Sequence, residues 1–337
     1  MHPEHPLPAD KLTLLRGVSR SFYVSIRLLP RPLREPVAAA YLLARATDTI
    51  ADTTQLAPPA RREKLATLGA AIEGDAAARA AISELATSFA ALQQDPDERA
   101  LILALPQCLA WLDALGNADQ RDVRTVLRHI TLGQALDIER FGNDAQVCAL
   151  ATAAELEEYT WLVAGCVGEF WTDLCFRHVP GFASLPQEEM RALGRAYGSG
   201  LQLINILRDA GADLAAGRCY FPADDLAMAA LAPQDILREP ARLAGLYGHW
   251  LQQAGDRLAQ GMRYVGAVNN RRVRAASALP ALIGTRTLAL LQQAGPGALQ
   301  TRVKVPRSEV RTILLRLAVT LAARAPLQAQ FVRLRGA

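Results

Sequence analysis

Aromatic side chains are scarce in this 337-residue chain, at 6%, although hydrophobic residues make up 51% of it. A core of Ala and Leu with so few rings favours helices over strands. No alternation of apolar and polar residues persists to argue otherwise. Cysteine occurs only at positions 108, 148, 166, 175 and 219. An odd number with no C-x-x-C pair excludes a disulfide framework and a zinc ribbon. It predicts a reduced, cytoplasmic protein whose thiols fill the core. No run of ~20 apolar residues exists to span a membrane; Thr312–Ala323 is short and interrupted by Arg316. Met1–Asp10 is polar and proline-rich, unlike a secretory signal. Also missing are the P-loop, the G-x-G-x-x-G fingerprint and the G-x-S-x-G elbow. His129, His178 and His249 lack metal-ligand spacing. Basic residues are not interleaved with aromatics, so no nucleic-acid partner is expected.

What remains is a helical pattern. Apolar periodicity predicts helices over 9–29, 33–54, 58–72, 76–93, 97–115, 118–141, 153–178, 186–215, 239–265, 272–293 and 307–325. Pro30-Arg31-Pro32, Pro58-Pro59, Pro180-Gly181, Pro222 and Gly295-Pro296-Gly297 mark the breaks. No long or low-complexity linker cuts the chain. The expectation is therefore one all-α domain over 11–325 around a central apolar cavity. A flexible N-terminus (1–10) and a basic tail (326–337) flank it. Charge is uneven. Residues 301–337 carry eight Lys/Arg against the single acid Glu309, so of the net +4 this stretch holds +7 and the rest −3. Such a segment suits phosphate groups, of a ligand or of anionic lipid; the plainer reading is a solvated helix face with a frayed end.

Two aspartate pairs of equal spacing stand out: Asp48-Thr-Ile-Ala-Asp52 and Asp209-Ala-Gly-Ala-Asp213. At i, i+4 on a helix two carboxylates share a face and repel, unless something cationic lies between them. Oxygen donors of this kind suit Mg²⁺ completed by phosphate and water. Tyr41, Arg45, Asp48 and Asp52 fall within a sector of roughly 60° on an otherwise apolar helix. Gln202, Asn205, Asp209 and Asp213 repeat the design, with Asn205 a neutral oxygen donor. Arg208 sits beside them, placed to neutralise phosphate bidentately, and Arg218 follows as a further arginine at the mouth. The competing reading of the first stripe is an ion-pair staple from Arg45 to Asp48 and Asp52. Two helices with the same stripe make that reading less economical.

Two further elements are polar or open. Ser19-Arg20-Ser21 near a helix start would suit a phosphate, or only cap the helix. Tyr159 precedes Val163-Ala-Gly165-Cys-Val-Gly168. Those glycines signal either close helix packing or a kink with open space for a flat hydrocarbon. Tyr159 would then face the cavity as a proton donor or acceptor.

These motifs together resemble the squalene/phytoene synthases, the head-to-head branch of the trans-isoprenyl diphosphate synthases. The pieces are Ser19-Arg20-Ser21-Phe22, Tyr41-x-x-x-Arg45-x-x-Asp48-x-x-x-Asp52, Tyr159-x-x-x-Val163-Ala-Gly165-x-Val-Gly168, and Gln202-x-x-Asn205-Ile-x-Arg208-Asp209-x-x-x-Asp213. Gly217-Arg218-x-Tyr220-x-Pro222 follows, and all come in family order. The first aspartate stretch, the Val163–Gly168 segment, Ala278-Leu-Pro280 and Val303-Lys304-Val-Pro-Arg307 look most like squalene synthase. Gly217–Pro222 reads equally well as phytoene synthase. Arg274-Ala-Ala-Ser277 stands where squalene synthases tend to carry aromatics, a departure that bears on the reductive step.

The resemblance implies an isoprenoid-synthase helical bundle acting on two farnesyl diphosphates with Mg²⁺. The ions would sit on Asp48, Asp52, Asn205, Asp209 and Asp213. Ser19, Arg20, Ser21, Arg45, Gln202, Arg208 and Arg218 would hold the diphosphate. Tyr159, with Tyr41, would manage the proton, and Lys304 and Arg307 would bind NADPH. Phe22, Ile26, Val163, Gly165 and Gly168 would line the pocket. The implied product is squalene by way of presqualene diphosphate. Presqualene diphosphate, hydroxysqualene, dehydrosqualene or, with geranylgeranyl diphosphate, phytoene are the unreduced alternatives. A non-catalytic helical scaffold is the reading from another class. The expected protein is a monomer with no spanning anchor, and peripheral contact with anionic membrane.

Overall fold

The computed structural model describes residues 9–18, 23, 26–142, 146–320 and 322–336. The described chain is almost wholly helical, as expected. It divides into two compact units, Met1–Glu139 and Arg140–Ala337.

The first unit contains α1 (Ala9–Val18), α2 (Arg31–Asp52), α3 (Pro58–Glu73), α4 (Ala76–Ala90), α5 (Pro96–Leu103) and α6 (Leu105–Asp113). Helix α7 (Asn117–Phe141) carries the chain past its boundary. α2 is the centre, packed against α3, α5 and α6. Its Val37, Leu42, Leu43 and Ile50 are buried, together with Ala at 38, 39, 40 and 46. Small side chains on so many faces let neighbouring helices close round it. Lys11 fixes α1 despite being only 1% exposed. Its ammonium pairs with Glu35 and lies 4.8 Å from the centroid of Trp111, so the buried charge is compensated. Where one helix was expected over 97–115 there are two. Pro106 can supply no N–H to the preceding turn, and the chain breaks at Ala104.

The second unit is built around α10 (Gln187–Ala215). It packs against α9 (Cys166–His178), α12 (Ala244–Ala267) and α13 (Arg271–Ala294). Two buried tyrosines bind these helices by donating to main-chain carbonyls: Tyr197 to Ser277 O at 2.7 Å and Tyr247 to Leu207 O at 3.0 Å. Shorter pieces complete the unit: α8 (Ala153–Thr160), α11 (Ala223–Met228), α14 (Arg307–Val319) and α15 (Arg324–Arg335). A two-residue parallel pair, β1 (Cys148–Ala149) with β2 (Arg218–Cys219), is the one strand pairing among the described elements.

The stretch 326–337, expected as a basic tail, is instead largely helical, in α15. Leu327, Phe331 and Leu334 are buried there, and α15 packs on α13. Arg274 explains the anchoring. Its buried guanidinium donates to Val268 O at 2.8 Å and Ala322 O at 2.6 Å, tying the chain ahead of α15 to the start of α13. Arg324 adds a bond to Asn269 Oδ1 at 2.7 Å. Part of the C-terminal positive charge is thus consumed in holding the fold.

Candidate active site

The first aspartate pair closes α2, with Asp52 its last residue. Carboxylates there meet the negative end of the helix dipole, an unfavourable place without a counter-ion. Asp48 is half-buried and Asp52 exposed. Gln134 of α7 donates its amide Nε2 to Asp48 Oδ1. Burial, and then the Asp52 carboxylate, push the Asp48 carboxyl up to about 6; Arg45 and the Gln134 amide pull the other way. Arg45 pairs with Glu98 in the first turn of α5. Neither Gln134 nor Glu98 was singled out from sequence. Tyr41, three turns before Asp52, is half-buried on the same helix.

The second pair stands near the end of α10. Arg208 straddles Asp209, with Nε to Oδ1 at 3.1 Å and Nη2 to Oδ2 at 2.5 Å. Arg302 approaches Asp209 Oδ1 to 3.5 Å. Arg218 donates twice to Asp213 Oδ1, at 3.2 and 2.7 Å. The reason Arg218 returns to its own helix is local. Gly217 turns the chain with φ of 82°, a left-handed conformation that glycine adopts without strain. The β1–β2 pairing then fixes the direction of Arg218. Asn205 is exposed and donates to Gln202 Oε1 at 3.4 Å. Arg208 and Arg218, expected on a diphosphate, therefore lie on the aspartates of their own motif, while Arg45 lies on Glu98.

Tyr159 is the penultimate residue of α8 and is buried. Its hydroxyl lies 3.4 Å from that of Tyr220, and their rings stack with centroids 5.1 Å apart. Phe141 meets Tyr220 edge-on at 5.1 Å. Tyr220 belongs to the motif after α10, so this buried hydroxyl pair joins that motif to α8.

After Tyr159 the helix is interrupted by a π-helical turn, Trp161–Gly165, of the kind that often marks functional sites. Gly165 and Gly168, expected as openings for a hydrocarbon, follow the other reading instead. A Cβ on Gly168 would stand 1.9 Å from Gly194 O, and one on Gly165 would stand 2.6 Å from Ser199 Oγ. Both glycines serve close approach to α10. Val163 is half-buried against the core of the second unit. Ile26 is 1% exposed in the first unit. Ser19, Arg20, Ser21 and Phe22 lie outside the described residues. Lys304 and Arg307 are exposed, in and just after the loop that leads into α14.

Among the described residues no group of three or more His, Cys, Asp or Glu converges as a self-sufficient metal cage. The donor set still fits Mg²⁺, which is commonly held by one or two carboxylates and completed by water and substrate phosphate. The oxygens are carboxylate, and the Asp48 carboxyl is held up first by burial and then by the Asp52 carboxylate one turn away.

A family model described as squalene/phytoene synthase matches residues 15–309. A bifunctional lycopene cyclase/phytoene synthase of Phaeosphaeria nodorum is 27% identical over 250 residues, covering 73% of this chain and 39% of that protein. A squalene synthase of Eremothecium gossypii is 26% identical over 315 residues, covering 90% of this chain and 66% of that protein. The chain thus spans well under half the length of the first relative and just under two thirds of the second. A solved structure of TcSQS in complex with a ligand matches with a TM-score of 0.75 at 22% identity, over 97% of this chain and 91% of that one. At that identity the likeness is one of fold.

Proposed function

This chain belongs to the squalene/phytoene synthase family, and from that premise we propose that it joins two farnesyl diphosphates head to head and reduces the product to squalene. The observation that carries the reading is the repeated aspartate pair, each near a helix C-terminus where only a cation makes it favourable.

Asp48, Asp52, Asp209 and Asp213, with Asn205, would hold Mg²⁺, which supplies positive charge to a departing diphosphate. Arg208 and Arg218 already lie on the second pair as guanidinium donors. Their N–H groups would follow the electron pair onto the leaving oxygen as the allylic C–O bond breaks. The allylic carbon then bonds to the double bond of the second farnesyl chain, and loss of a proton closes the cyclopropane of presqualene diphosphate. Tyr159 is the proposed proton handler, its buried hydroxyl paired with Tyr220. Lys304 and Arg307 would bind the phosphates of NADPH, the hydride source for the second half-reaction.

A second reading stops short of reduction, at presqualene diphosphate, hydroxysqualene or dehydrosqualene, or takes geranylgeranyl diphosphate to phytoene. The likeness to a lycopene cyclase/phytoene synthase favours keeping it open. The test is incubation of purified protein with farnesyl diphosphate and Mg²⁺, with and without NADPH, followed by mass analysis of the lipid extract. Squalene formed only with NADPH is the expected result. A C30 product that ignores NADPH would assign reduction to another protein. No C30 product would turn the test to geranylgeranyl diphosphate.

A further inference from the structure

Ten large hydrophobic side chains stand exposed among the described residues, and three of them, Leu314, Leu315 and Val319, lie on one helix, α14. The other seven are spread singly along the chain. Scattered exposed apolar residues are ordinary, but a group on one helix calls for a cause. Leu315 is 65% exposed and Val319 73%. Ile313 and Leu317, on the other side of the helix, are buried and hold it to the second unit.

The helix wheel sorts charge and apolarity together. At about 100° per residue, Arg311, Thr312, Leu315, Ala318 and Val319 share the outward face. All five are exposed. Arg307 lies one turn earlier, and Lys304 sits in the exposed loop before it. The one acid of the segment, Glu309, is occupied by Arg286, whose Nε donates to it at 2.6 Å. The outward face therefore carries positive charge at its N-terminal end and bare hydrocarbon at its C-terminal end.

We infer that this face docks on an anionic lipid surface, with Leu315 and Val319 entering the headgroup boundary and Arg311 meeting lipid phosphate. The mixture is that of a helix lying in a membrane interface, and no described helix is long and apolar enough to cross one. A solvated charged face explains the arginines but not the leucine and valine. A second copy of the chain, related by a two-fold axis, would set the basic end either against itself or against hydrocarbon, and neither gives it a counter-charge. Nucleic acid would meet hydrocarbon where it needs base-stacking rings or donors. Each basic residue close to an anionic leaflet strengthens binding by about fivefold.

The experiment is sedimentation of the full chain with vesicles of phosphatidylcholine alone, or of phosphatidylcholine mixed with phosphatidylglycerol. Expected is binding to the mixed vesicles only, released by salt. Leu315→Ser/Val319→Ser should weaken it by roughly tenfold or more, and Arg311→Gln by about fivefold, with circular dichroism and the unfolding temperature unchanged. Absence of wild-type binding, or undiminished binding of the double variant, overturns the proposal. So does a lipid-free dimer in sedimentation velocity that the double variant abolishes, since the face would then cover a second copy. Binding is read without turnover, so its failure leaves the prenyl-transfer reading standing.

Discussion

The main-chain carbonyl of Leu299 lies so close to Gly211 that a Cβ at position 211 would stand 1.9 Å from its oxygen and 3.0 Å from the Leu299 Cα. Gly211 is the middle residue of the second aspartate motif. Leu299 ends a 3-10 turn, Gly295–Leu299, three residues before the Arg302 that reaches Asp209. Backbone cannot swing aside as a side chain can. Gly211→Ala must therefore push the turn from α10 and carry Arg302 with it. The expected result is a stability loss of about 1–3 kcal/mol, typical of overpacking, with reduced turnover. Thermal unfolding and steady-state kinetics check it; an alanine variant matching wild type in both would show that the contact positions nothing.

Asp48 makes the fold sensitive to pH in an unusual sense. Its carboxyl is raised from 3.8 to about 6, so the folded chain holds that proton more tightly than the unfolded chain does. Its ionisation costs stability at neutral pH, and the cost disappears as pH falls through 6 towards 4. Asp48→Asn keeps an acceptor for Gln134 and removes the charge. In EDTA the variant should be more stable than wild type at neutral pH, by about 1–3 kcal/mol, with the two converging near the unfolded value. Urea midpoints across that range measure it. Curves that stay parallel would mean the carboxylate is already compensated. Turnover of the variant should be lost at every pH.

Long periodic segments were legible in the sequence because their burial pattern is local. The expected 186–215 is Gln187–Ala215, 118–141 is Asn117–Phe141, and 272–293 is Arg271–Ala294. The split at Ala104 had a signal in Pro106 that the apolar period outweighed. The π turn at Trp161–Gly165 fell where the glycines hinted at a break, but their close packing on α10 was decided by Gly194 and Ser199, which lie beyond any local window. The same distance hides the site's partners. Gln134 is 86 residues from Asp48, and Glu98 is 53 from Arg45. A polar residue on a helix reads as solvated until its neighbour is known. Aspartate spacing carries the proposed chemistry; the residues that set the aspartates' electrostatics came from tertiary structure.

The five thiols differ sharply in environment. Cys108, Cys166, Cys175 and Cys219 are buried, and Cys148 alone is half-exposed. Burial pushes Cys108, Cys166 and Cys219 up to about 12, and Cys175 higher still. The reactive species is the thiolate, so these four should be inert in the folded protein. Ellman's reagent should titrate a single fast thiol natively, lost in Cys148→Ser, and all five in denaturant. A second fast thiol would point to an opening of the second unit near Cys166 or Cys219.

Arginine pairing at Asp209 and Asp213 predicts how the second motif responds to ligand. Arg208 and Arg302 share Asp209, and Arg218 holds Asp213, all partly exposed. Pairs of this kind contribute about 0–1 kcal/mol each, so Asp209→Asn should unfold at nearly the wild-type temperature. Its turnover should fall at least about 100-fold, because a group that acts on developing charge is lost. The guanidinium groups also set an order. A cation alone must compete with them for the carboxylates, whereas a cation arriving with diphosphate offers the arginines a replacement partner. Calorimetry should therefore show weak Mg²⁺ binding alone and much tighter binding with inorganic pyrophosphate present. Arg302→Gln should strengthen the first and weaken the second. If Mg²⁺ affinity were the same with and without pyrophosphate, the arginines would be structural braces and the exchange would not occur.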